Sequence, residues 1–523
     1  MIRSPGGFLK NVTRRIIGIR RLCSDECPTE RKGLIVGVYE GEDGEPVFTP
    51  AAQKFNDKCD NKILELIKQS GASLHPGKGK AFNNIDNEFW AIAVVGLGKE
   101  KLGYNELEAI DEGMEAVRMA AGMGGVLLRK QGCTRVLVEG LGFPEQAAEG
   151  TALALWRYQE NKMREHWKVI PSIELYDDPD SDSFQRGLFK AESQNLARRL
   201  SDTPANLMTP LHFAQECVNE LCPCGIRVEV HDRDWIEHAK MNAFMAVARG
   251  SCEPPVLLEI SYCGGPQDMK PILMVGKGIT FDSGGLCLKK CPGMSRYRAD
   301  MSGAAAIVGA LRCVSALSLP ININAVIALC ENMPSGMAMK CGDVVMGMNG
   351  KSIMITDTDN EGRLTLADCI VFGQATYKPR LLIDVGSLTP GIRSALGFGA
   401  SGVFANSQTM WSQVRKASVI TGDRVWRMPL WKYFDKKVTN YRSVDVDNKG
   451  KGKGDPCLAA AFLNQFVHCI DWLHFDTTGV SMLADDKVYP YYTKNRMSGR
   501  PTRTLLQLLY QLSCPNEGAR DIK

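Results

Sequence analysis

The sequence is short of the features that mark several protein classes. It has no run of about 18 apolar residues, so it predicts no membrane-spanning helix. Its formal net charge is only +4, which does not by itself indicate nucleic-acid binding. No residue type dominates, and this excludes collagen-like, coiled-coil and wholly disordered chains. With 523 residues, the chain is long enough for two domains with a large core.

Several catalytic motifs are also missing. The seven histidines have no H-E-x-x-H spacing, and no G-x-S-x-G is present, which argues against a helix-borne zinc protease and a nucleophile elbow. The eighteen cysteines form no C-x-x-C and no group with histidine, so we expect them to be reduced and mostly buried. One G-x-G-x-x-G, Gly397–Gly402, precedes a predicted strand instead of following one, and we interpret it as a flexible loop.

The first 23 residues contain no acid. Six cations between Met1 and Cys23 alternate with apolar residues at roughly helical spacing. This segment resembles a mitochondrial transit peptide cut between Cys23 and Ser24, which predicts a location in the mitochondrial matrix. The alternative is a basic disordered tail.

The body of the chain alternates strand and helix signals. This alternation predicts an α/β fold with two domains, a smaller three-layer N-terminal domain at 33–183 and a larger one at 185–514. The polar stretch 177–183 marks the boundary. The predicted elements are strands at Gly33–Tyr39, Phe89–Val95, Thr134–Val138 and Ser172–Tyr176 and helices at Lys54–Gln69, Asn105–Arg129, Gln146–Asn161 and Gln185–Leu200.

The second domain carries a set of charged residues suited to chemistry. A strand at Pro271–Phe281 and a hairpin signal at Met348–Gly350 lead into acidic turns. Four clustered carboxylates repel unless cations lie among them, and oxygen ligands with one amine suit Zn, Mn or Mg. Two such ions can polarise a carbonyl and generate hydroxide. The alternative is that the acids are only helix caps and surface turns. The set is Lys277, Asp282, Lys289, Asp300, Asp359, Glu361 and Arg363.

Several long strings of this region, in the same order, resemble the leucyl aminopeptidase family of cytosol-type dimetal exopeptidases. They are VGKGITFDSGG, RADMSGAAA, CENMPSG, DTDNEGRL, TGDRVWRMPL and MSGRPTRTL. The resemblance covers Ser201 to Leu512 most clearly and implies a catalytic domain with a mixed central sheet. The transit peptide and pocket substitutions look most like the insect sperm mitochondrial branch.

The resemblance also implies roles for individual residues. Lys277, Asp282, Asp300 and Glu361 would hold one divalent metal, and Asp282, Asp359 and Glu361 a second, exchangeable one. Lys289 would bind the scissile carbonyl oxygen, and Asp300 would accept from the substrate's α-amine. Arg363 would anchor a bicarbonate ion that acts as general base. The metals would be Zn or Mn, with Mg possible.

Other positions depart from the family's pattern. Asp357 stands where Asn is usual, and it either adds charge beside the metals or makes a different turn bond. In the substrate segment Ser387–Gly391, which includes Leu388, Pro390 replaces a Gly whose N–H would bind substrate, unless the register differs by one. The first-residue pocket has three polar substitutions, which put a leucine preference in doubt: Tyr297, Thr478 and Ser481.

Two functions are therefore weighed. The first is a metal-dependent aminopeptidase that hydrolyses N-terminal residues from peptides through a water activated by two metals, with activity reduced by the pocket substitutions. The alternative is a weakly active or inactive structural component of sperm mitochondria that keeps the fold and oligomer. The resemblance implies a homohexamer, and we expect no nucleic-acid or membrane partner.

Overall fold

The fold is taken from a computed structural model, which describes residues 30–482 and 488–514. The predicted transit peptide, Met1–Cys23, lies outside the described residues. Within them, no helix has both the length and the apolar character needed to cross a membrane.

The first domain is built on a six-stranded mixed sheet. Its strands, together with a separate two-stranded pair (β5 and β6), are β1 (Lys32–Glu40), β2 (Pro46–Phe48), β3 (Gly79–Asn83), β4 (Ala91–Lys99), β5 (Tyr104–Asn105), β6 (Ile110–Asp111), β7 (Arg135–Glu139) and β8 (Ser172–Tyr176). The order is β3-β4-β1-β7-β8, with β2 also paired to β1. Strands β4, β1, β7 and β8 run parallel, while β3 and β2 run antiparallel to their neighbours.

Alternate residues of β1 face opposite sides of this sheet, as strand geometry requires. Ile35 packs in one apolar cluster with residues of the helices Glu112–Lys130 and Pro144–Leu155. Leu34 packs in a second cluster with the helices Pro50–Lys58 and Lys62–Ser70. The predicted three-layer arrangement is confirmed.

Two helix predictions in this domain were wrong. They relied on the periodic spacing of apolar residues, and a local break in the helical backbone leaves that spacing unchanged. The predicted helix Lys54–Gln69 is two helices, since Asp60 and Asn61 adopt left-handed φ angles of 53° and 62° between them. The predicted helix Asn105–Arg129 begins only at Glu112, where the Asp111 carboxylate accepts from the Met114 N–H. Leu107, which lies within the predicted range but before the observed helix, is 96% exposed.

Two other helices differ at their ends. The predicted Gln146–Asn161 begins at Pro144 and ends at Leu155, because Trp156 turns to an extended conformation with ψ of 143°. The helix predicted at Gln185–Leu200 spans Ser181–Asp202 and so begins inside the polar stretch 177–183. The Asp180 side chain caps it by accepting from the Ser183 N–H, which explains why an acidic stretch opens a helix.

The second domain has a mixed central sheet, as predicted, and this sheet has eight strands. Its order is β17-β16-β19-β15-β11-β12-β10-β9, and a small sheet, β13-β14-β18, lies beside it. The four central strands β19, β15, β11 and β12 are parallel. The strands are β9 (Arg227–His231), β10 (Val256–Cys263), β11 (Ile272–Asp282), β12 (Asn322–Asn332), β13 (Val344–Met346), β14 (Ser352–Met354), β15 (Leu381–Gly386), β16 (Ser401–Ala405), β17 (Val425–Arg427), β18 (Val446–Asp447) and β19 (Asp471–Asp476).

Apolar clusters cover both faces of this sheet, and helices supply much of each. The predicted hairpin is confirmed, since β13 and β14 pair antiparallel across Met348–Gly350. Gly397–Gly402 leads from a helix C-terminus into β16, the order expected from the sequence. The helices of this domain are Pro210–Leu221, Arg233–His238, Asn242–Ala248, Ser302–Ala316, Glu361–Tyr377, Pro390–Leu396, Gln408–Thr421, Lys432–Thr439, Asp455–Asn464 and Thr502–Ser513.

A buried ion-pair network joins the two domains. Arg118 of the first domain contacts Glu115 and donates from Nε to Glu149 at 2.8 Å. Arg503 of the second domain donates to the same Glu149 carboxylate at 2.8 Å. The Tyr491 hydroxyl donates to Glu115 at 2.6 Å. We call these five residues the interdomain network.

The cysteines differ from the expectation in one respect. All sixteen within the described residues are free thiols. Only seven of them are buried, so the prediction that they are mostly buried was wrong. Thiols are small enough to be tolerated at the surface as well as in the core, and composition does not distinguish the two positions.

Candidate metal centre

The central strand β11 supplies two charged side chains to the carboxyl edge of the large sheet. Lys277 and Asp282 are 3% and 2% exposed. The neighbouring strand β12 ends at Asn332, which pairs in register with Asp282 and donates from its amide to Asp282 Oδ1 at 2.9 Å. The Gly284 N–H donates to the same oxygen at 2.8 Å. Parallel strands therefore fix this carboxylate at the edge where α/β sheets place their sites.

Asp300 reaches the same edge from the turn before the helix Ser302–Ala316. Its Oδ2 lies 2.6 Å from Lys277 Nζ, and its Oδ1 accepts from the Ser387 hydroxyl at 2.6 Å. Ser387 follows β15, and its carbonyl accepts from Lys277 Nζ at 2.8 Å. Three segments far apart in the chain thus converge on one lysine.

Glu361 and Asp359 come from the loop after β14. Glu361 is the first residue of the helix Glu361–Tyr377, where the helix dipole favours a carboxylate. Its Oε1 lies 2.8 Å from Lys277 Nζ. Gly362 allows this approach, because a Cβ there would lie 2.4 Å from Lys277 Cε.

Lys289 closes the other side of the cluster. Its Nζ lies 2.7 Å from Asp282 Oδ2 and also contacts Asp359 Oδ1. The loop that carries it turns at Gly284, whose φ of 89° and closeness to Asp359 leave no room for a side chain. Carboxylate oxygens of Asp282, Asp359 and Glu361 lie within 4.8 Å of one another. We call Lys277, Asp282, Lys289, Asp300, Asp359 and Glu361 the charged cage.

The charges of the cage shift one another's pKa values. Burial raises the pKa of Asp359, the Asp282 and Glu361 carboxylates raise it further, and it reaches about 7. Burial also raises the pKa of Asp300 well above its usual range. Burial would lower the pKa of Lys277, but Asp300, Glu361 and Asp282 outweigh it and raise that pKa. Unless other cations enter the cage, Lys277 is therefore an ammonium group.

The donor set fits divalent metal ions. Both Glu361 oxygens and Asp300 Oδ2 are buried without a hydrogen-bond partner among the described residues. Two of these oxygens approach Lys277 Nζ without the alignment of a hydrogen bond, and Glu361 Oε2 has no such neighbour. Buried carboxylate oxygens without partners are costly unless a cation coordinates them. Two cations would also lower the pKa of Lys277 and allow its neutral amine to be a ligand.

Arg363 lies two residues after Glu361 and is fully buried. Its guanidinium donates to the Asn448 carbonyl at 2.7 Å and pairs with Asp455. Its Nε has no partner among the described residues. The arginine is therefore held by the 448–455 loop, with one N–H left for another acceptor.

Two further predicted residues lie near the cage. The Tyr297 ring centroid is 4.1 Å from Lys289 Nζ, a cation–π contact. Asp357 accepts from the Asp359 N–H at 3.0 Å and pairs with Lys449 Nζ at 3.0 Å. Of the two readings left open for Asp357, the contacts favour a turn bond, and Lys449 offsets its charge.

The remaining predicted residues form a segment beside Asp476. The Leu388 N–H donates to Asp476 Oδ1 at 3.3 Å, and the Thr389 N–H donates to the Thr478 hydroxyl at 3.0 Å. Pro390 is exposed and is the first residue of the helix Pro390–Leu396, a position where a missing N–H costs no helical bond. The Ser481 hydroxyl is buried and donates to the Thr477 carbonyl at 3.0 Å, so its contacts are within the protein.

Sequence reasoning missed three uncharged residues that build the cage. Asn332 and Ser387 hold Asp282 and Asp300, as described above. The Thr358 hydroxyl, fully buried, donates to the Gly284 carbonyl at 2.7 Å and fixes the loop that carries Lys289. Their positions along the chain could have identified two of them, since Asn332 and Ser387 stand at the carboxyl ends of the strands that pair with β11.

Known proteins share this architecture along most of the chain. The model of the cytosol aminopeptidase family's catalytic domain matches residues 195–506, and that of its N-terminal domain matches 35–165. A cytosol aminopeptidase from Bos taurus is 44% identical over 488 residues, 92% of this chain and 93% of the relative. One from Homo sapiens is 43% identical over 513 residues, 97% and 98% of the two chains.

A solved structure gives the same result for the fold. The bottromycin maturation enzyme BotP superposes with a TM-score of 0.79 at 28% identity, over 92% of this chain and 99% of its own. A second structure of that enzyme is described as a complex with Mn and superposes equally well.

Proposed function

The chain belongs to the cytosol aminopeptidase family, whose members are dimetal-dependent peptidases, and on that premise we propose that it hydrolyses N-terminal residues from peptides using two divalent ions held by the charged cage. The observation that carries the proposal is the cage itself, where four buried or half-buried carboxylates surround two lysines and three carboxylate oxygens have no hydrogen-bond partner among the described residues. Carboxylates that only cap helices or close turns have their oxygens hydrogen-bonded, whereas Glu361 Oε2 has neither a hydrogen bond nor a lysine beside it.

The ligands would divide between two positions, with Asp282 and Glu361 contributing to both. Lys277 and Asp300 would complete one position, and Asp359 would complete the other. Zn²⁺ and Mn²⁺ suit this set best, with Mg²⁺ possible, and the Mn complex of BotP supports manganese. When bound, the ions would polarise the scissile carbonyl and make hydroxide available near neutral pH.

The chain's own groups do the remaining work. Lys289, held against Asp282 and stacked on Tyr297, donates to the oxygen of the scissile carbonyl as negative charge develops there. Asp300 accepts from the substrate's free α-amine, which selects unblocked N-termini. The free N–H of Arg363 would hold a bicarbonate ion, which would supply a general base beside the cage.

The substrate segment favours a slower enzyme than its relatives. Pro390 cannot donate a backbone hydrogen bond to the substrate, and losing one such bond costs about 1–3 kcal/mol. Tyr297 and Thr478 would make the first-residue pocket more polar than an apolar leucine pocket, whereas the Ser481 hydroxyl is already bonded to the Thr477 carbonyl.

Those same departures favour a second candidate, a weakly active structural component of sperm mitochondria. Such a component would keep the fold and the proposed homohexamer, but its role would not require rapid catalysis. The acid-free N-terminal segment would direct it to the mitochondrial matrix. The two roles are compatible in one protein.

The deciding experiment is an assay of the mature chain, loaded with Mn²⁺ or Zn²⁺, on a panel of aminoacyl amides and their N-acetylated forms. We expect hydrolysis of free amides only, and a roughly 10²–10³-fold lower kcat for Lys289→Met. No turnover of any amide by metal-loaded protein would reject the catalytic proposal and leave the structural one.

A further inference from the structure

Two thiols touch at the rim of the charged cage. Cys287 Sγ and Cys341 Sγ lie 3.5 Å apart, although 54 residues separate them in the chain. Cys341 is exposed and Cys287 is half-buried, so a small solute can reach the pair. An S–S bond is about 2.0 Å long, and a shift of roughly 1.5 Å would close it.

Cys287 belongs to the loop that positions Lys289. Its N–H donates to the Thr358 hydroxyl at 2.8 Å, and that hydroxyl in turn donates to the Gly284 carbonyl at 2.7 Å. The Lys289 N–H donates to the Ser283 carbonyl at 2.9 Å. A movement of Cys287 is therefore transmitted to Lys289 directly and to Asp359 through Thr358.

Cys341 lies on a separate turn that is tied to the small sheet. The next residue, Gly342, has a φ of 96° and donates to the Ile355 carbonyl at 2.8 Å, while Asp343 donates to the Lys340 carbonyl at 3.0 Å. This turn has no bond to Lys289 among those described. The backbone around Cys341 is thus held by a different element, so Cys341 can act as an anchor for the Cys287 loop.

We propose that Cys287 and Cys341 form a reversible disulfide that restrains the 284–289 loop and lowers turnover, which makes the pair a redox modification site next to the cage. The effect on turnover rests on the proposed function, whereas the disulfide itself does not.

The oxidant is hydrogen peroxide. One thiol, as thiolate, attacks the peroxide oxygen and becomes a sulfenic acid, while the O–O bond breaks and water leaves after protonation. The second thiol attacks the sulfenic sulfur, the S–O bond breaks, a second water leaves and the S–S bond forms. Two thiols are oxidised by two electrons and one hydrogen peroxide is reduced, and a dithiol reverses the reaction by exchange.

Closing the bond displaces the loop whose lysine stabilises the transition state. Misplacement of a catalytic group by about 1 Å can cost roughly 10²-fold, so we expect a ten- to hundredfold lower kcat in the oxidised protein. The crosslink also limits opening of the loop, so exchange of its backbone amides should slow.

The test treats metal-loaded protein with hydrogen peroxide and measures three quantities: the 287–341 disulfide by peptide mass spectrometry, amide hydrogen exchange of 284–289, and kcat. Cys287→Ser and Cys341→Ser each remove the pair. Cys291→Ser is the matched control, because Cys291 is an exposed thiol in the same region that the pair does not need.

We expect the crosslinked peptide, slower exchange and lower kcat in the wild type and in Cys291→Ser, all reversed by dithiothreitol and absent from the two pair variants. Failure to find the crosslink while Cys291 is oxidised would overturn the proposal. An equal loss of kcat in Cys287→Ser would overturn the link to turnover. If the reduced protein hydrolyses no amide, the proposed function fails, and mass and exchange still decide the disulfide and its restraint of the loop.

Discussion

The charged cage and the interdomain network are both buried clusters of acids and bases, yet they differ in balance. The network sets two glutamates against two arginines, and its carboxylates accept from guanidinium or hydroxyl donors. The cage sets four carboxylates against two lysines and leaves three carboxylate oxygens without a hydrogen-bond partner among the described residues.

The comparison separates structural from functional buried charge. Burial and closeness of charges are common to both clusters, so neither property identifies a site. What distinguishes the cage is an excess of carboxyl groups over cationic side chains, together with buried carboxylate oxygens that accept no hydrogen bond from the described residues. Replacing one carboxylate should therefore have opposite consequences in the two clusters.

The largest effect is expected from Glu361→Gln in the cage. It removes a ligand shared by both metal positions, so kcat/KM should fall by more than about 10³-fold. Thermal stability of the metal-free protein should change little, because the variant loses the ion pair with Lys277 together with the repulsion from the other three carboxylates. Activity assays and a thermal melt check this, and exposed Glu165→Gln is the control; a melt that falls as in the network variant would remove the distinction.

Glu149→Gln should do the reverse in the network. It leaves Arg118 and Arg503 buried without their shared carboxylate, which costs about 3–5 kcal/mol of unfolding free energy. The folded fraction should keep its metals and its kcat. Urea unfolding followed by tryptophan fluorescence measures the loss, and a change below about 0.5 kcal/mol would mean that the network contributes little to stability.

The pH dependence should also distinguish the clusters. Burial and the neighbouring acids raise the pKa of Asp359 to about 7, so below that pH a proton must leave before metal binds. Metal affinity should fall as pH drops through 7. At Asp359 the metal-free fold binds more protons than the unfolded chain between about pH 4 and 7, so the contribution of this carboxyl group to the unfolding free energy should rise as pH falls across that range. Calorimetric titrations at pH 6 and 8 test the first point and melts test the second; an affinity independent of pH would contradict it.

The smallest effect concerns the substrate segment beside the cage. Pro390→Gly restores a backbone N–H, and kcat/KM should rise roughly 5- to 150-fold, while stability falls by about 0.4–1 kcal/mol. Pro390→Ala is the matched variant, since it also restores the N–H but makes the backbone less flexible than glycine does. A higher kcat/KM in Pro390→Gly alone would indicate that backbone flexibility is the cause. An unchanged kcat/KM in both variants would show that the lost hydrogen bond does not limit the rate.

The two-domain α/β architecture could be predicted from the sequence, because buried strands require the apolar runs that the sequence shows. The buried strands around Ile35 and Lys277 are apolar runs, and parallel topology brings their carboxyl ends together. Helix ends were less predictable. Asp60 and Asn61 break a helix through their backbone angles, and the apolar period around them does not record this.

The supporting residues of the cage were harder to find than its charges. Asn332 and Ser387 are uncharged, and their role depends on the strand next to which each one ends, which is a property of sheet order. No short sequence motif predicts the contact between Cys287 and Cys341, because the fold brings together two loops that are far apart in the chain.

The central claim is that the cage holds two divalent ions, and calorimetric titration of metal-free protein with Mn²⁺ tests it most directly. The account predicts two ions bound per chain in the wild type, with both weakened in Glu361→Gln and neither weakened in Glu149→Gln. A wild-type chain that binds no Mn²⁺ or Zn²⁺, or whose binding is indifferent to Glu361→Gln, would contradict it.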